Sequence, residues 1–329
     1  TQSPPSIGMP WVCLFLLKLA MQESDETGRE MVKSEFGILA NKLYRMQHLA
    51  CPIGHGNAQL MLRPMILQQA WYQGEIVTDI KAMTRQMIWY SDNDSPYNEK
   101  FFETYGLSLR NFYIISLYLD ITIADKAQGI VEVNLYQLIF NLTPTIPLAQ
   151  IIRYFLLTTV RSQDLPAFFN KHWVKGEDEL HQQSEYFQTT PLRSKPLLLD
   201  GENLFIYNAK LFSRGISTLI PDLLKKIPEW NFKDHFGPAM ENYIGSLLTA
   251  SSIEHFSEND LKKCCQKNNV PKGKMADYLI PGEINIILES KAIEPGDIVS
   301  SVFNPEILRS HLKKNFIKGI EQCQESIKR

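Results

Sequence analysis

The sequence predicts an α+β protein with a large all-helical region, 1–192, followed by a C-terminal α/β region, 193–329, holding a mixed sheet flanked by helices. Three observations carry this. The 329 residues are 44% hydrophobic, enough for more than one core. Apolar positions recur at helical spacing from about residue 10 to residue 190. Beyond "HQQSEYFQTTPLRSKP", a polar, Pro-punctuated boundary, short strand-like runs alternate with helices.

The elements follow in order. "WVCLFLLKLAMQ" is apolar but interrupted by Lys18. It falls short of the roughly 20 apolar residues of a membrane span, so it reads as a buried helix. "REMVKSEFGILANKLYRMQHLA" aligns Met31, Phe36, Leu39, Leu43 and Met46 near one stripe. "GNAQLMLRPMILQQAWYQ" is a second helix, expected to bend or break at Pro64. "EIVTDIKAMTRQMIWYSD" is a third, and "SLRNFYIISLYLDITIADK" and "LAQIIRYFLLTTVRSQ" read as more deeply buried. Trp71, Tyr72, Trp89 and Tyr90 fall at helix ends with apolar neighbours, where core packing outweighs base stacking.

After the boundary, "PLLLDGENLFIYN" is a hairpin turning at Asp200-Gly201. "AKLFSRGISTLIPDLLKKI" is helical. "KDHFGPAMENYIGSLLTAS" is a helix with Pro238 suited to its first turn, "SIEHFS" a short strand, and "ENDLKKCCQKNN" a short helix or loop. The final "NPEILRSHLKKNFIKGIEQCQESIKR" is a strong helix with Asn304 as N-cap and Pro305 in its first position.

Charge and cysteine content narrow the function classes. The net charge of −2 argues against a uniformly basic nucleic-acid binder, although residues 260–329 carry 12 Lys and Arg against 9 Asp and Glu. That end is therefore the better candidate for meeting a polyanion. Five cysteines, two of them adjacent and none in framework spacing, fit a reducing cytoplasm. His48, Cys51 and His55 lack the fourth ligand and partner pair of a zinc site, so zinc is not expected. There is no phosphate-binding Walker motif, no dinucleotide fingerprint and no nucleophile elbow.

The chemistry concentrates in "KMADYLIPGEINIILESKA", residues 274–292, two apolar strands around a Pro-Gly-Glu turn. Glu289 and Lys291 share a strand face. Asp277 joins them if Ile280 pairs with Ile284 across a three-residue loop, and moves to the opposite face if Pro281 pairs with Ile284. The first register is the expected one. "INIILE" is apolar on both faces, which predicts a central strand, and charges ending a buried strand need partners. The alternative is a solvated hairpin face with a salt bridge worth ~0–1 kcal/mol. Two carboxylates side by side repel unless a cation lies between them, and hard oxygens suit Mg²⁺ or Mn²⁺. Such a metal lowers the pKa of a bound water and stabilises charge on a phosphodiester, and a neighbouring ammonium orients that water.

Strand-Asp in "MADYLI", a short loop, then Glu-x-Lys in "INIILESKA" resembles the PD-(D/E)xK, restriction-endonuclease-like nuclease superfamily, over roughly residues 233–329. The resemblance implies a metal-dependent nuclease, with DNA favoured over RNA. Asp277, Glu289 and Glu241, the last matching a helical Glu of the family, would hold Mg²⁺ or Mn²⁺. Lys291 would position the water, and Gln322 would match a Gln on the helix after the Lys strand. Arg309, Lys313, Lys314 and Lys318 form a basic stripe there, read equally well as phosphate contacts or as a solvated face. Ala276 stands in place of the name-giving Pro. The family core has one more strand after this helix, so here the chain is truncated, or that strand is dispensable or supplied from elsewhere. A nuclease domain behind an unfamiliar helical domain is similar to bacterial defence proteins that restrict phage. That likeness implies a trigger from phage or a partner protein, the nuclease resemblance implies a homodimer, since nucleases of this fold often pair to cut both strands, and the short first apolar run implies no membrane partner. The other function class is a non-catalytic scaffold of nuclease fold whose helical domain binds protein or nucleic acid.

Overall fold

The computed structural model describes residues 9–22, 29–51, 57–91, 95–124, 129–172, 184–270, 273–291 and 297–328. His55 lies outside them. The architecture is mostly helical α+β, and the chain divides into two compact units: Thr1–Pro228 with Ser300–Phe303, and Glu229–Val299 with Asn304–Arg329.

The first unit opens with helices Pro10–Gln22, Lys33–Arg45, Ala58–Gln73, Ile76–Tyr90, Pro96–Tyr105 and Leu109–Ala124. Lys18, which interrupts the first apolar run, is buried and ion-paired with Glu185. Leu43 is buried, but Met31, Phe36, Leu39 and Met46 of the expected stripe are exposed. The helix instead turns Ala40 and Leu43 into a cluster with Val12, Met61, Tyr186 and Phe187. Pro64 does not break its helix, which is capped by the Asn57 side chain accepting from the Gln59 and Leu60 amides. Helix Pro96–Tyr105 occupies part of what reads in sequence as a polar joint. Its Pro at N1 starts it and Gly106, at φ +67°, ends it.

The first unit is not all-helical, because residues before 193 supply two strands. β1 (Val131–Asn134), β2 (Thr159–Arg161), β3 (Leu197–Asp200) and β4 (Asn203–Ile206) form one sheet in the order β1-β4-β3-β2. β2 and β3 run parallel and the other pairs antiparallel, so the mixed sheet expected at the C-terminal end lies here instead. The predicted β3–β4 hairpin forms with Asp200 opposite Asn203, and Gly201 takes the left-handed φ of +58° in the turn. Helices Leu135–Leu142, Leu148–Thr158 and Leu165–Asn170 complete this part. Leu148–Thr158 buries Ile151, Tyr154 and Thr158 but exposes Leu148, Ile152 and Leu156, so only one of its faces joins the core.

Residues 193–228 belong to this unit and not to the C-terminal one, because their sheet partners and packing lie here. Helix Ala209–Lys225 packs on Ile76–Tyr90 and Leu109–Ala124. Its Gly215 is required: a Cβ there would come within 2.7 Å of the Arg193 carbonyl oxygen. Between these helices Asp79 takes Lys210 Nζ at 2.5 Å and Arg214 Nε at 3.2 Å. Arg214 also lies over the Trp71 ring, and Tyr90 is buried, so these aromatics serve the core.

The second unit contains helix Phe232–Ala250, β5 (Phe256–Ser257), helix Glu258–Lys267, β6 (Tyr278–Ile280) and β7 (Ile286–Leu288). Pro305–Leu312, a π-helical turn Lys313–Ile317 and helix Lys318–Ile327 follow. Pro238 sits inside its helix, since the cap is Asn231 and not a residue next to the proline. The sheet is antiparallel, in the order β5-β6-β7. Asn304 caps as expected, accepting from the amides of Glu306 at 2.9 Å and Ile307 at 3.3 Å.

One buried acid gives the first unit a pH dependence. Burial pushes the Asp120 carboxyl up to about 7; its bond from Ser213 opposes this, Asp79 adds to it and Lys210 opposes it. The unfolded carboxyl titrates near 3.9, roughly. Its stabilising contribution is therefore complete below about pH 4 and is lost as pH rises towards 7. Asp120→Asn is expected to flatten the fall in Tm between about pH 5 and pH 8. An unchanged slope in thermal melts would show that Asp120 is not the group responsible.

Candidate active site

The site is built on the register of β6 and β7. Tyr278 pairs with Leu288, Leu279 with Ile287 and Ile280 with Ile286. The loop is therefore residues 281–285, five residues instead of the three expected. Asn285 explains the extra pair, since its side-chain oxygen accepts from the Gly282 amide at 3.3 Å and closes the turn within the loop. Parity is unchanged by two residues, so Asp277 stays on the face of Glu289 and Lys291. Continued one step beyond the last paired residues, this register sets Asp277 opposite Glu289 and not diagonal to it. β7 is at the edge of the described sheet and not at its centre, with Ile286 55% exposed.

Each polar head is held. Asp277 Oδ2 accepts from the Ser290 amide and the Ser290 hydroxyl, both at 2.6 Å. Glu289 has a side chain only 4% exposed, and its Oε1 is ion-paired with Lys291. Burial raises the Glu289 carboxyl pKa, the Lys291 bond lowers it, and the Asp277 charge raises it. The Asp277 backbone amide also lowers it, yet Oε2 is buried and makes no hydrogen bond of ordinary geometry among the described residues, and neither does Gln322 Oε1. A buried acceptor without a donor costs about 1–3 kcal/mol.

Two helices press against this hairpin. Gly319 faces it from Lys318–Ile327: a Cβ there would lie 3.3 Å from Lys291 Cγ and 3.8 Å from Glu289 Cγ. Ser326 on the same helix accepts from the Ala276 amide at 2.8 Å and donates to the Gln322 carbonyl at 2.9 Å. Cys323 is close enough that, after burial, the Glu289 and Asp277 charges raise its thiol pKa. From helix Phe232–Ala250, the Glu241 carbonyl accepts from the Tyr278 hydroxyl at 2.9 Å. Gly245, one turn on, leaves room for that phenol, since a Cβ would sit 2.4 Å from its oxygen.

Asp277, Glu289 and Lys291 are thus brought together by the hairpin, with Gly319 and Cys323 of the last helix against them, while Gln322 lies on that helix with a buried side-chain oxygen. Glu241 lies within electrostatic reach: burial raises its carboxyl pKa first, then Asp277, Glu258 and Glu289. Among the described residues, no three His, Cys, Asp or Glu side chains gather into a metal-binding group. Arg309, Lys313, Lys314 and Lys318 are exposed, and the π turn breaks the regular helical spacing of their stripe. Cys51 donates its thiol hydrogen to the Met61 carbonyl, and His48 is exposed. Ser290, Gly319, Ser326 and Gly245 were not singled out by the sequence. The only trace of them was small residues at helical spacing from Gln322 and Glu241, and the x of Glu-x-Lys.

Compared with protein-family models, curated proteins and solved structures, the chain matches none.

Lys291 partners the buried Glu289 carboxylate, so Lys291→Met leaves that charge alone. With the lysine side chain 31% exposed, the pair loses less than a fully buried one, so a destabilisation of about 1–3 kcal/mol is expected at pH 8. The loss shrinks as pH falls and Glu289 takes up a proton. Denaturant unfolding at about pH 5 and pH 8 checks this, and an equal loss at both would assign it to packing of the lysine stem.

Proposed function

We propose that the second unit is a metal-dependent phosphodiesterase of PD-(D/E)xK type that cleaves nucleic acid, DNA being favoured by resemblance. The observation that carries this reading is a register that, continued one step past Tyr278–Leu288, sets Asp277 opposite Glu289, with Glu289 Oε2 and Gln322 Oε1 buried and without hydrogen bonds of ordinary geometry among the described residues. Acceptor oxygens of this kind fit a hard divalent cation better than they fit one another. Asp277 and Glu289 would hold Mg²⁺ or Mn²⁺, with Glu241 assisting through its charge and Gln322 of the last helix offering its buried Oε1. When bound, the ion would supply a water of lowered pKa and a Lewis acid for the phosphodiester.

The chain's own groups have separate tasks. Ser290 fixes one Asp277 oxygen, so the other is free to ligate. Lys291, paired with Glu289 here, would donate to the attacking water or to a non-bridging phosphate oxygen. Arg309, Lys313, Lys314 and Lys318 offer exposed cations for backbone phosphates. The first unit would then sense, grip or bind a partner, and a role in phage defence rests on analogy alone.

The test is incubation with plasmid DNA and with RNA, in Mg²⁺ or Mn²⁺ and in EDTA. Cleavage in metal and none in EDTA is expected, with Glu289→Gln and Lys291→Ala each slowing it by about 100-fold or more. Mg²⁺ is expected to raise the Tm of the wild type and not of Glu289→Gln. Full activity in Lys291→Ala would sink the mechanism. No cleavage of any polymer would leave the non-catalytic scaffold as the reading.

A further inference from the structure

The first unit contains a cavity of about 670 Å³ between helices Leu135–Leu142, Leu148–Thr158 and Leu165–Asn170, with the mixed sheet contributing part of its wall. That volume falls within the usual range of small-molecule sites, roughly 300–1,000 Å³. Its wall is mainly hydrocarbon, from Ile139, Ile152, Phe155, Phe168, Leu199 and Leu204. Four charged residues border it. Arg161 and Asp164 neutralise each other at 2.6 Å. Lys171 and Lys195 have no carboxylate partner among the described residues, so the net charge of the lining is positive. Among the described residues Lys195 gives its ammonium to the Leu156 carbonyl alone. Thr159, also in the lining, has a buried hydroxyl with no partner.

An apolar cavity with a few unmatched cationic and hydroxyl groups has a defined complement. Water would leave the hydrocarbon wall poorly solvated, and a cationic ligand would meet two lysines of like charge. A purely apolar ligand would leave Lys195 and Thr159 as they are. We propose that this cavity binds an amphiphilic monoanion, its hydrocarbon part against the apolar wall and its carboxylate at Lys195 and Lys171. Burial lowers the Lys195 pKa, and an anion beside it would offset that cost. This reading concerns the first unit alone and does not depend on the nuclease proposal.

Calorimetric titration of the full chain with laurate, kept below its micellar concentration, tests it. A single saturable site is expected, with dodecyltrimethylammonium and dodecanol bound at least about tenfold more weakly. The Lys171→Ala, Lys195→Ala double variant is expected to weaken laurate by about tenfold or more. Ala167 is an exposed residue of the lining, so Ala167→Trp should obstruct the cavity without disturbing the core and abolish binding. Thermal melts confirm that both variants fold. Equal affinity for the anion and the cation, wild-type binding by Ala167→Trp, or no saturable laurate binding up to about 1 mM would each overturn the proposal.

Discussion

The pairing of Tyr278 with Leu288 is the constraint on which the candidate site depends. Strand side chains alternate with period two, so this one register decides whether Asp277 and Glu289 share a face. A slip by one residue would send Asp277 to the other side of the sheet and leave Ser290 without its acceptor. The register is secured at both ends. Asn285 closes the turn onto Gly282, and the Tyr278 phenol docks on the Glu241 carbonyl in the notch at Gly245. β5 pairs along the other edge of β6.

Around that register the polar groups are unevenly satisfied, and the unevenness is informative. Asp277 has two donors on one oxygen, whereas Glu289 and Gln322 each keep a buried oxygen without a hydrogen bond of ordinary geometry among the described residues. A fold selected only for stability would fill these with donors or replace them with hydrocarbon. The glycine at 319 has the same sense, since a larger residue would push the last helix away from Lys291 and Glu289. The first unit shows both outcomes, since Asp120 Oδ2 is also buried without a partner among the described residues. Asp79 is matched by two cations from helix Ala209–Lys225, and that helix lies flush because Gly215 accepts the Arg193 carbonyl against its backbone.

Much of the secondary structure was legible. The β3–β4 hairpin, the Asn304 cap and the helices at 76–90 and 209–225 follow from turn chemistry and from apolar spacing, which are local. The parity of the β6–β7 loop was legible too, because it rests on which side chains avoid water. Its length was not, since Asn285 acts through a side-chain bond that spacing does not reveal. β1 and β2 were missed because four- and three-residue strands carry too little periodicity and are defined by partners far along the chain. The same reason explains why residues 193–228 were placed with the C-terminal part: composition changes at the boundary, but their sheet partners lie before it.

By itself the sequence determined the α+β class, the Asn304 cap, the hairpins and the concentration of charge in residues 274–292, because each depends on neighbours within a few residues. Only the tertiary structure decided which carboxylate oxygens lack donors, where the mixed sheet lies and which apolar faces stay exposed. It alone revealed the cavity bordered by Lys171 and Lys195. These are properties of groups brought together from distant positions. A buried polar atom is satisfied or orphaned according to what packs over it, and no local pattern records that.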